Sequence, residues 1–488
     1  MTASAGRDAP AGLAGRIVAI ALILTLAAVA AAATVRMDPV LVLAGIAAVG
    51  GAALVVLDPN RGLLAVAAFS VLRLPDVATD FHGAPSLFQP LAALVVLAIA
   101  LRWAHTGARP PGGLRAVLAG GALTVVALTS IALSPDAIGS QPDLELLVKD
   151  VAVAAIAGAL LGSVAVLRRL MWVMVAGAGL LGAISVFQTL SGAFDGNFLG
   201  FGQSAVQNII GESDDVRISG PIGDPNFYAQ WMVMLLPLAI DRMRAEGMRA
   251  MRVLAGGAAT LAALTIIFTF SRGGAVALAV VLVAMAVRHP PRPRTVVLVG
   301  VAAIIALPLL PGGYTARLGT LTQVGEVESD TDISIRTRTS EIGAGLAMFR
   351  DSPIIGLGYG TFIDNYPAYA RPIGIDLSTK GREAHSLFVE TAAETGVVGL
   401  VVLTGLFAAA LVSLSNGRKR LRRLGLFDGD DTGYAIAVGI FGYLVTSLFL
   451  HMAFARLIWL LLGIAFAFPS MAAAETRRHP ARSEQAWR

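Results

Sequence analysis

Long apolar runs set the limits on what this chain can fold into. A helix needs about 20 apolar residues to cross a bilayer. Fourteen stretches approach that length: 17–35, 40–57, 62–74, 87–103, 116–133, 147–167, 170–190, 226–240, 253–270, 273–287, 295–310, 395–414, 434–450 and 456–470. Run 62–74 is the weakest, interrupted by Arg73 and followed by Pro75. Composition agrees, with 56% hydrophobic and 14% charged residues and a mean hydropathy of +0.74. Soluble domains carry about 25% charged residues, so a soluble enzyme and a nucleic-acid binder are excluded. The expected fold is an all-α polytopic membrane protein of about 14 (12–14) transmembrane helices. Residues 1–488 then form a single integral membrane domain whose first partner is the lipid bilayer. The first run lacks a small-residue cleavage motif and is read as a retained span. With no cysteine in the chain, disulfides and thiolate metal sites are ruled out.

Basic residues orient the spans. If the N-terminus is cytoplasmic, the inner segments hold 24 of the 37 Lys and Arg residues. Seven of the other 13 fall in one long loop, and long loops count little in this rule. The expected topology is therefore multi-pass, with both termini cytoplasmic. The net charge of +5 follows from this topology and does not require an anionic partner. Two outer segments are too long to be connectors. One is a small outer loop, 191–225, and the other a large, partly helical extracytoplasmic loop near 311–394. In the large loop the spacing of Ile342, Leu346 and Phe349 predicts a helix over 336–350, and a second helix is expected over 383–394.

The outer face carries the chemistry. No histidine pair has metal-ligand spacing, no phosphate-binding loop precedes a helix, and Gly356-Leu357-Gly358 reads as a turn, so neither metal nor cofactor is implied. Arg272 lies in Ser271-Arg272-Gly273-Gly274, between apolar runs of 18 and 15 residues. These reach roughly 27 and 23 Å, against roughly 30 Å of hydrocarbon. An arginine in that turn either snorkels to the interface or binds something anionic. Arg336, Arg338 and Arg217 are further outer arginines, and several guanidinium forks converging on one point suit a diphosphate, although single loop arginines are commonplace. His385 is the outer imidazole best placed to act as general base. Glu390 and Glu394 are possible supports, although the helical period puts both off the histidine's face. Asp224-Pro225 reads as the N-cap and first residue of the span at 226, with Asn226 near enough to the surface to touch sugar.

Four segments in order, RISGPIGDPNFYAQ (217–230), FTFSRGGAVAL (268–278), MFRDSPIIGLGYGTF (348–362) and AHSLFVETAAETGVVGL (384–400), resemble the O-antigen ligase and O-antigen polymerase superfamily of bacterial membrane glycosyltransferases. The likeness covers roughly residues 140–470. His385 is followed by Ser386 where many members have asparagine. The resemblance implies transfer of a glycan from an undecaprenyl-diphosphate carrier to a hydroxyl of a glycan, lipid or protein acceptor, without metal or nucleotide sugar. It also implies that Arg272 and one of Arg336 or Arg338 bind the diphosphate, and that His385 is the catalytic histidine. Polymerisation, with a second lipid-linked glycan as acceptor, is the alternative within the family. A secondary transporter or flippase is the alternative of another class. Transporters place ionisable residues in mid-membrane and show repeated halves, whereas here the charges gather at the outer face.

Overall fold

The computed structural model describes residues 50–107, 112–134, 140–206, 216–294, 330–375, 380–451 and 455–478. Helices make up nearly all of it. In chain order they are α1 (Pro59–Leu72), α2 (Leu74–His82), α3 (Phe88–Thr106), α4 (Gly113–Leu133), α5 (Gln141–Leu160), α6 (Val164–Ser191), α7 (Pro225–Ala245), α8 (Arg249–Phe268), α9 (Arg272–Arg288), α10 (Asp330–Asp351), α11 (Phe362–Ala370), α12 (Leu387–Arg423), α13 (Phe427–Thr446) and α14 (Arg456–Arg478). One antiparallel hairpin, β1 (Gln203–Val206) and β2 (Val216–Gly220), precedes α7, with Ala205 opposite Arg217.

Six helices (α3, α4, α6, α8, α12 and α14) are long and apolar enough to cross a membrane, and α1 with α2, bent by 54°, forms a seventh candidate. The chain is an all-α, multi-pass membrane protein. The expected spans at 17–35 and 295–310, and the part 40–49 of the span at 40–57, lie outside the described residues. Arg168 and Arg169 do not form the connector expected between 167 and 170; they lie inside α6. The true break is at 161–163, where the Ser163 side chain caps α6 by accepting from Val166 N. At 1.5 Å per residue a 28-residue helix is about 42 Å long, so both arginines can ride beyond the hydrocarbon on a continuous helix.

Two helices form the centre of the bundle. In α14, 83% of the most apolar window is buried inside the protein, against 17% for α3. Nearly every residue of α7 from Pro225 to Ala239 is buried too. Lipid offers apolar side chains no less than the protein interior does, so close backbone approach and satisfied polar groups carry helix association. A Cβ on Gly463 of α14 would sit 2.3 Å from the Ala154 carbonyl oxygen of α5, which is the approach that a glycine permits. Buried polar side chains of α7 find partners: Tyr228 Oη lies 2.8 Å from Ser185 Oγ, Gln230 donates to Thr446 Oγ1 at 2.9 Å, and Trp231 donates to the Val71 carbonyl at 3.0 Å. This rigid centre holds the N-terminus of α7, the turn between α8 and α9, and the start of α12 at one end of the molecule.

Candidate functional site

Arg272 is the first residue of α9. Phe270 turns the chain through the left-handed region (φ 52°), and the Ser271 hydroxyl accepts from Gly274 N at 3.2 Å to cap the new helix. Gly274 is where α9 meets α7, since a Cβ there would lie 2.7 Å from Ala229 Cβ. The expected turn is therefore present and tightly built. The Arg272 side chain is partly exposed, with no hydrogen bond or ion pair to any other described residue. It also sits at a helix N-terminus, where free N–H groups and the helix dipole favour anions.

Arg217 and Asn226 have another place. Arg217 is buried on β2, and its Nε donates to the Thr269 carbonyl at 2.8 Å while Nη2 donates to Asn226 Oδ1 at 3.2 Å. The pair braces the turn that presents Arg272. Asp224 caps α7 as its spacing suggested, accepting from Asn226 N at 2.7 Å and Phe227 N at 3.0 Å.

The third element is α10, which covers the helix expected at 336–350 and begins earlier. Arg338 is half-buried and, like Arg272, has no hydrogen bond or ion pair to a described residue. Burial pushes its guanidinium below the ordinary arginine range, Glu341 opposes that, and the positive charge of Arg272 adds to it. The two cations thus stand close enough to act on each other, with no carboxylate bonded to either among the described residues. Arg336 lies on the same helix, with its side chain outside the described residues.

One turn after Arg338, the fully buried Glu341 meets the histidine. His385 Nδ1 is 3.1 Å from Glu341 Oε2 and 3.2 Å from the Glu383 carbonyl oxygen. The Glu383 carbonyl can only accept, so Nδ1 carries the proton and the lone pair of neutral His385 is on Nε2, with the Glu341 carboxylate at ion-pair distance from the ring. Burial lowers the affinity of His385 for a second proton, but the bond to Glu341, the Glu341 charge and the Glu383 carbonyl outweigh it. The imidazole pKa is raised above its usual 6.5. His385 is not on a helix, contrary to the expected helix over 383–394. Its φ is 46°, and α12 starts only at Leu387, whose N–H reaches the carbonyls of Ser447 and Leu450 at the end of α13. Left-handed non-glycine residues are uncommon and gather at functional sites. Three of the five among the described residues (Phe270, His385 and Arg73) border this region.

Glu394 holds the scaffold. Its Oε1 accepts from Phe362 N at 3.0 Å and caps α11, and its carbonyl accepts from Gly358 N at 3.0 Å and Ser130 Oγ at 2.5 Å. Just beyond it α12 breaks at Gly396 (φ 64°, ψ −163°). The loop at 353–358 fills the break: Leu357 N donates to Ala393 O at 3.0 Å and Val397 N donates to Pro353 O at 2.8 Å. A membrane helix tolerates such a break only where other groups take up the freed backbone.

On its other side, His385 faces His451, with ring centroids 5.9 Å apart, and His451 Nε2 is 3.4 Å from Glu383 Oε2. Burial, then the His385 charge, lowers the His451 pKa to about 3, so this ring is neutral and the contact with Glu383 is not an ion pair. Glu383 and His451 belong to the wall of a cavity of about 360 Å³, which Glu390 and Glu394 also line. Sequence reasoning missed Glu341, Glu383 and the use of His451. Only Glu341 carried a signal, its three-residue spacing from Arg338 on one helix.

Residues 257–404 match the family model described as O-Antigen ligase. The match includes Arg272, Arg338, Glu341, His385, Glu390 and Glu394, and leaves Arg217, Asn226 and His451 outside it. No curated protein matches the chain. This segment, which contains Arg272, Arg338 and His385, is similar to the O-antigen ligase family.

Proposed function

We propose that the protein is a ligase-type glycosyltransferase acting on the outer face of the bacterial cytoplasmic membrane. Its donor is a glycan on undecaprenyl diphosphate and its acceptor is a hydroxyl. The observation that carries this reading is the meeting of two guanidinium groups unpaired among the described residues, Arg272 and Arg338, with a histidine held by Glu341. Fourteen spans with both termini cytoplasmic, and the outer segments 191–225 and 311–394, complete the arrangement.

Arg272 and Arg338 bind the diphosphate. As the anomeric C–O bond to phosphate breaks, negative charge grows on the leaving oxygen, and cations already in place stabilise it without rearrangement. The acceptor oxygen forms the new bond to the anomeric carbon, and His385 Nε2 takes the hydroxyl proton. The Glu383 carbonyl holds Nδ1–H, and the nearby Glu341 carboxylate offsets the charge of the imidazolium that forms. Arg217 and Asn226 position Arg272 through Thr269. Two fixed arginines supply the charge that a metal ion would otherwise supply.

The test is transfer by the purified protein in lipid nanodiscs, with undecaprenyl-diphosphate glycan and candidate acceptors. Product formed by the wild type and lost in His385→Ala, with donor binding retained, is the expected result. Transport of the intact donor without transfer would favour a flippase instead. A second lipid-linked glycan serving as the better acceptor would favour a polymerase.

A further inference from the structure

The cavity walled in part by His451 and Glu383 plays no part in donor binding as argued above. It is enclosed by the α1–α2 bend, the starts of α5 and α12, and the residues before α14. Its volume of about 360 Å³ is at the low end of the range for small-molecule sites, about 300–1,000 Å³. Trp231, Tyr359 and Phe362 give it aromatic walls, and its charged lining is mainly acidic.

Its two arginines do not offset that acidity at the centre. Arg73 Nε is 2.9 Å from Asp76 and Arg456 Nη1 is 3.3 Å from the same carboxylate. Among the described residues Asp143, at the rim, has no hydrogen bond or ion pair. His451, more than nine-tenths buried, also lines the cavity, and its Nδ1 has no hydrogen-bond partner among the described residues. A buried polar nitrogen left open beside aromatic and carboxylate groups is the lining expected of a site for a hydroxyl-rich ligand.

We infer that this cavity is the acceptor subsite, and that it takes a terminal sugar that is neutral or amino-bearing and rejects one bearing a carboxylate. The inference rests on the function proposed above. His385 does not itself line the cavity but is joined to it through its neighbours. Glu341, on the helix of Arg338, holds one side of the imidazole, and His451 and Glu383 bring the cavity to the other. A sugar in the cavity presents its hydroxyl to His385 while the donor diphosphate lies on the arginine side. Carboxylates accept hydrogen bonds from hydroxyl or ammonium groups and repel an acidic sugar, and like charges facing each other across an interface are strongly disfavoured. The donor diphosphate is kept out of the cavity by the same field.

The experiment uses the full chain in nanodiscs with undecaprenyl-diphosphate glycan and acceptors ending in glucose, glucosamine or glucuronic acid. The first two should be used, and glucuronic acid should show at least about tenfold lower kcat/KM. This comparison on the wild type does not depend on any variant folding. Asp143→Asn and Glu390→Gln, each nearly isosteric, should raise the acceptor KM about tenfold, leave the donor KM within about twofold, and narrow the gap to glucuronic acid. Equal or better use of glucuronic acid, or variants that shift the donor KM instead, would overturn the acceptor assignment while leaving the proposed transfer intact. Failure of the wild type to transfer to any of the three would overturn both.

Discussion

Arg242 and Arg272 stand on neighbouring helices, α7 and α9, near opposite ends of the bundle. Arg242, near the end of α7, is 1% exposed and is surrounded by acceptors: Asp241 at 2.8 Å, Glu246 at 3.4 Å and Thr432 Oγ1 at 2.6 Å. Arg288 at the end of α9 reaches Asp430 and Asp431, both at 2.9 Å, and Arg418 and Arg422 share Asp430. Arg168 pairs with Glu246. At the other end Arg272 and Arg338 have none of this. A buried charge is tolerated when it is paired, so the first cluster joins α6, α7, α9, α12 and α13 into one body. Two cations without a bonded carboxylate among the described residues suit, under the proposed function, an anion that comes from outside. The same residue type is structural at one end and, on the reading proposed here, functional at the other.

The largest expected effect is on the chemical step. His385→Ala should cut transfer about 10²–10⁴-fold with thermal stability unchanged, because Nε2 is the proposed general base. Undiminished transfer at normal membrane levels would remove the histidine from the mechanism. Next, Arg272→Ala and Arg338→Ala should each cost about 10²–10³-fold in kcat/KM. Arg272→Lys should recover little, since an ammonium keeps the charge and loses the fork. Arg242→Met should do the reverse, with the melting transition reporting a loss of about 3–5 kcal/mol as Asp241 is left buried without its cation. If Arg272→Ala destabilised the fold as much as Arg242→Met, the contrast between the two ends would fail.

A smaller and more specific effect belongs to Glu341→Gln. A general base works when neutral, so wild-type rate should rise with pH through a midpoint above 6.5, the direction in which Glu341 moves His385. Removing the carboxylate charge should lower that midpoint and reduce the high-pH plateau about tenfold, so the defect should be smallest at acid pH. A pH profile unchanged in the variant would show that Glu341 does not act through the imidazole. The smallest effect is the null result expected with EDTA, which should leave transfer unchanged. A strict need for Mg²⁺ would turn the search to Asp195, Asp224 and Asp364.

Apolar run length and local spacing carried much of this architecture. Long apolar runs place α3, α4 and α8 within a few residues, and the start but not the end of α14, since an isolated span must satisfy its own backbone. Asp224-Pro225 announces its cap, and Ser271-Arg272-Gly273-Gly274 its turn, because caps and turns depend on adjacent residues. Arg272, Arg338 and His385 were legible as candidates by residue type and position. Their relation to one another was not. Glu341 and His385 are 44 residues apart and meet only because α10 packs on α12. Arg217 carries the same guanidinium as Arg272, and only the fold turns it inward onto Thr269. The late start of α12 and its break at Gly396 follow from carbonyls supplied by the end of α13 and by the loop at 353–358. Local chemistry determines where the chain becomes helical and which groups can bind or ionise. Which charges are left without a partner depends on contacts between distant segments, and those exist only in the packed structure.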